Sequence, residues 1–84
     1  MKQKPLITQS LDMYEKINEL KDLNKKDFYL IGLTAKDAMN DSEHAKFAQI
    51  SIHERSIRIK NRQEQINSLC KEMEELDRDI YRAL

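Results

Sequence analysis

The sequence predicts an all-α protein. Two short helices, at about residues 10–23 and 25–39, pack on a long C-terminal helix at about 42–83, in a helical bundle that closes as an antiparallel coiled-coil dimer. Three observations predict this. Every seventh residue from Ala45 is apolar (Ala45, Ile52, Ile59, Ile66, Met73, Ile80), the heptad signature of a helix that buries a seam. Charged residues make up 36% of the chain, against one glycine and one proline, which suits helices with solvated faces and disfavours a turn-rich β fold. The chain has 84 residues, enough for a single domain with a thin core, and small helical proteins often gain stability by oligomerising.

The elements follow in order. Residues 1–9 read as a flexible arm, because Pro5 does not fit a helix interior. Ser10 is the expected N-cap of the first helix, with Asp12 and Glu15 in its first turn. Met13, Ile17 and Leu20 form its apolar stripe. Asn24 followed by Asp27 resembles a capping box with a shorter acid and predicts a break there. The second helix carries Phe28, Ile31, Ala35 and Ala38 on one face and Tyr29, Leu30 and Leu33 on another, as a helix buried on more than one side would. Gly32 costs about 1 kcal/mol in a helix interior, and a closely passing helix would account for it. Asn40, Asp41 and Ser42 end this segment, with Asp41 or Ser42 as the next cap.

From there one helix can run to the end of the chain, roughly 60 Å at 1.5 Å per residue. The alternations Ile50-Ser51-Ile52 and Ile57-Arg58-Ile59 also suit strands. A hairpin between them would have to turn at His53-Glu54-Arg55-Ser56, which lacks Gly, Asn, Asp and Pro, so the unbroken heptad favours helix. A second row lies three residues after the first: Ala48, Arg55, Arg62, Leu69, Leu76 and Ala83. It is apolar at its ends and charged in its middle. The helix is basic from Ile52 to Arg62 and acidic from Glu64 to Asp79, so two copies side by side avoid like-charge contact only when antiparallel. The expected dimer seam is Ile52, Ile59, Ile66, Leu69, Met73, Leu76 and Ile80, crossing near Ile66. Arg55 and Arg62 would reach Asp77 and Glu72 or Glu74 of the partner. The shortness of the first two helices, which would leave part of this seam uncovered, is the physical reason for expecting a homodimer.

Few residues suggest chemistry. His44 and His53 lie nine residues apart, about 180° around a helix, so one chain does not bring them to a shared metal. Cys70 has acidic neighbours that disfavour the thiolate, and it reads as a packing residue. One glycine does not build a phosphate loop. No catalytic residue, cofactor or metal site is expected. Lys46, Arg55, Arg58, Lys60 and Arg62 are the candidate patch for nucleic acid or an acidic partner. Against a DNA role stand a net charge of zero and a second helix whose Phe28-Tyr29-Leu30-Ile31 start lacks the polar residues of a recognition helix.

The function expected is therefore non-enzymatic: a small homodimeric helical adaptor or inhibitor that occupies a protein partner's surface. The alternative is a small DNA-associated regulator using the basic stripe. With one cysteine and no apolar run long enough for a membrane span or signal peptide, the expected location is the cytoplasm. The richness in Lys, Asn, Ile and Glu points to an AT-rich bacterium, phage or plasmid.

Overall fold

The computed structural model describes residues 5–40 and 43–84. Two helices account for nearly all of them: α1, Leu6–Asn40, and α2, Ala45–Ala83. Among the described residues there is no strand, and the segment from Ile50 to Ile59 is helical throughout. The helices lie side by side and antiparallel. Ser10 near the start of α1 bonds Asp77 near the end of α2, and Asn24 reaches Ile59 midway. The result is a hairpin with Cα extents of 61 × 24 × 14 Å.

The two short helices of the sequence reading, 10–23 and 25–39, are one helix. Asn24 and Asp27 do not cap anything; they are mid-helix, buried, and turned onto α2. The physical reason is that neither glycine nor proline forces a break there, and α2 supplies polar partners that make the helical conformation acceptable for both side chains. Helix α1 also starts earlier than expected. Gln9 N–H donates to the Pro5 carbonyl oxygen at 3.1 Å, so residues 6–9 belong to the first turn. Pro5 sits at the helix entrance, where its missing N–H is no loss. Ser10 is therefore inside the helix rather than its cap, and its Oγ donates to Asp77 Oδ1 at 2.9 Å. The caps expected at Asp41 and Ser42 lie outside the described residues. His44 occupies the position before α2 and makes no side-chain capping bond.

Burial follows a heptad on both helices. On α1 the inward rows are Ser10, Ile17, Asn24, Ile31, Ala38 and Met13, Leu20, Asp27, Thr34; on α2 they are the two rows read from the sequence. Calling these rows a and d in each helix, positions b and e fall on one broad face of the hairpin. Positions c and g fall on the other, and f lies along the edges. The tightest apolar packing joins Ile17 and Leu20 to Ile66, with Leu69, Cys70 and Met73 against them. Gly32 occupies a b position, and a Cβ there would meet nothing within 4 Å. No close helix explains it.

Candidate interaction surfaces

The centre of the seam is polar. Asp27 and Asn24 are each about 95% buried, at 6% and 5% exposure. Arg55 Nη1 donates to Asp27 Oδ1 at 2.9 Å, Arg62 Nη1 donates to Asp27 Oδ2, and Arg58 Nη2 lies 3.9 Å from Oδ1. Asn24 Nδ2 donates to the Ile59 carbonyl oxygen at 3.4 Å. The hydrogen bond from Arg62 holds the Asp27 carboxyl below its usual value. Burial opposes this, and the Arg55 bond and the Arg58 charge reinforce it. Asn24 Oδ1 and Arg55 Nε are buried without a hydrogen-bond partner. A layer so incompletely satisfied is poor at adding stability, but it favours one register, since sliding α1 by a heptad would take Asp27 away from one of its two arginines.

This layer accounts for the charged middle of α2's second row. Arg55 and Arg62 reach an acid on α1 of the same chain. The residues expected at a dimer seam face the same way: Ile66 is buried, and Ile52, Ile59, Leu69, Met73, Leu76 and Ile80 are half-buried along the α1 side. Because α1 is nearly as long as α2, it covers the seam along its length. The length mismatch that motivated the dimer is absent. Of the basic set, Lys46, Arg58 and Lys60 are exposed, whereas Arg55 and Arg62 are half-buried on Asp27.

The signal that reveals the layer was in the sequence. Ser10, Ile17, Asn24, Ile31 and Ala38 repeat every seven residues, with Met13, Leu20, Asp27 and Thr34 three behind. Two polar members hide the repeat from a search for apolar residues alone.

The outer surface carries two unlike broad faces. On the c/g face, Leu23, Leu30 and Leu33 of α1 stand exposed, and Phe47 of α2 is 75% exposed. Leu23, Lys26, Leu30, Leu33 and Asp37 form one continuous stripe along α1 at helical spacing. A depression lined by Asp37, Ala38, Phe47 and Ser51 continues this face across the seam. The b/e face also exposes apolar residues, Leu11, Tyr14, Phe28 and Met39, and differs in its charge. Between residues 18 and 39 on α1 and 46 and 70 on α2, its charged positions are Lys21, Lys25, Lys46 and Lys60, with no acid among them. Exposed Phe28 lies on this side, in a depression shared with Ser56, Ile59 and Lys60. Acids return only at Glu74 and Asp77. No helix among the described residues is long and apolar enough to cross a membrane. Compared with protein-family models, curated proteins and solved structures, the chain finds no match.

Proposed function

We propose that this chain is a non-enzymatic protein-interaction module, a stiff helical hairpin that works in the cytoplasm by occupying a helical surface of a protein partner. The observation that carries this reading is the exposed apolar c/g face. Leu23, Leu30, Leu33 and Phe47 stand in water although they lie on the outward side of helices whose own seam is already filled. Contiguous exposed apolar residues rimmed by charge are the usual mark of a protein-docking surface, and an apolar stripe at helical spacing fits a groove or a second helix. Catalysis has no place in this reading, because the buried Asn24 and Asp27 are engaged in the seam by the Ile59 carbonyl oxygen and by Arg55 and Arg62 instead of converging on a cleft. The test is comparative capture from the native host with the wild-type chain and the Leu30→Glu/Leu33→Glu variant, both checked for helicity by circular dichroism. The expected result is a partner retained by the wild type and lost by the variant. Identical capture by both would sink the proposal.

A second reading rests on the acid-free b/e face. Lys21, Lys25, Lys46 and Lys60 form a broader basic surface than the Arg55–Arg62 stripe, two of whose members are occupied by Asp27. A DNA-associated regulator would use this face on phosphates. Its binding would fall steeply with salt, and replacing the four lysines would flatten the salt slope. No mobility shift at low salt removes this reading.

A further inference from the structure

We infer that the occupant of the c/g face is a second copy of this chain, docked so that α1 lies antiparallel on α1 of the other copy across a twofold axis between Leu30 and Leu33. This rests on the interaction reading above and names its partner. The argument is the self-complementarity of the stripe. Lys26 lies four residues before Leu30, and Asp37 lies four residues after Leu33. Read from either end, the stripe is a charge, two leucines and the opposite charge. An antiparallel copy in this register sets Leu30 against Leu33 of the second copy and Lys26 against Asp37 of the second copy. The twofold repeats both contacts, as an isologous interface requires.

Two further observations fit this occupant. Lys26 and Asp37 are exposed, and neither has an ion-pair partner among the described residues, so both charges are available to a second molecule. The overlap also engages both helices of each hairpin. From Leu23 to Asn40, α1 lies against its antiparallel copy over about 27 Å. One contact opposes the arrangement: at the height of the axis, Glu54 of α2 meets its own image. Arg58, one turn along α2 on the same face, supplies the opposite charge there. The surface is distinct from the α2 seam, which α1 already fills.

The test is sedimentation equilibrium on four chains: wild type, Lys26→Asp, Asp37→Lys and the double swap. The wild type is expected to dimerise at tens of micromolar. Each single swap places like charges together twice per dimer and should weaken association ~10-fold, while the double swap should restore it to within ~3-fold. Both positions are exposed, so helicity should not change, and circular dichroism checks that. A monomeric wild type, or a dimer indifferent to the single swaps, would overturn the inference. Were the chain monomeric yet still dependent on Leu30 and Leu33 for capturing another protein, the second-copy assignment would fall and the interaction reading would stand.

Discussion

Asp27 meets three arginines, Arg55, Arg58 and Arg62, and its removal should be felt strongly. Asp27→Ala leaves Arg55 and Arg62 facing an apolar seam without an acid. Because both arginines remain partly exposed, the loss should fall below that of a fully buried pair, about 2–3 kcal/mol. That is a large share of the stability of so small a domain, and urea unfolding would measure it. The same residue sets a pH dependence. Its carboxyl is held below the ordinary value of ~3.9 by Arg62 and then by Arg55 and Arg58, against burial. A depressed carboxylate stabilises fully above its unfolded-state pKa, and that contribution disappears as pH falls through the lowered folded-state value. Melting profiles of wild type and Asp27→Asn should therefore be well separated above the ordinary carboxylate value and converge as pH falls through the lowered folded-state value. A constant gap at all pH values would contradict the layer. Gly32 makes the opposite prediction. It points into open space with no positive φ, so Gly32→Ala should stabilise by up to ~1 kcal/mol. A loss in thermal melts would mean the position has a neighbour.

The element that distinguishes this architecture is the continuity of α1 through Asn24. A capping residue at 24 would make Lys25 the first position of a new helix, where proline is favoured. In an uninterrupted helix, proline at 25 removes a hydrogen bond, clashes with the preceding turn and costs ~3 kcal/mol or more. Lys25 is exposed, so its side chain contributes little to either outcome. Lys25→Pro should accordingly unfold or severely destabilise the hairpin in chemical denaturation. Tolerance of the substitution would restore the two-helix reading of residues 10–39. In helix α2 the strand alternative at Ile50–Ile59 gives way to the unbroken apolar ladder, and the helical span, Ala45–Ala83, begins within three residues of the expected start.

At the scale of the molecule, the shape is the prediction. The hairpin has a Cα radius of gyration of 18.7 Å, against ~12 Å for a compact chain of this length. Small-angle scattering at a concentration low enough for monomers should return a value near the former. A value near the latter would mean that the helices fold back on themselves. An elongated hairpin has much surface for its volume, so nearly every outward residue is exposed.

The sequence by itself determined helix as the regular structure of the described residues, the inward register of α2 and the identity of its apolar rungs. A seven-residue repeat and a lack of glycine and proline act locally and need no knowledge of the fold. It left open what α2 packs against. The charged rungs Arg55 and Arg62 pointed to an acid opposite them, and acids in a second copy or in the same chain satisfy that demand equally well on paper. Asn24 and Asp27 in turn have the chemistry both of a helix start and of a buried polar layer. Only the tertiary structure decided between them. Folding α1 back on α2 brings Asp27 to the two arginines, and that pairing removes the need for a break at Asn24 and for a partner at Arg55 and Arg62 together.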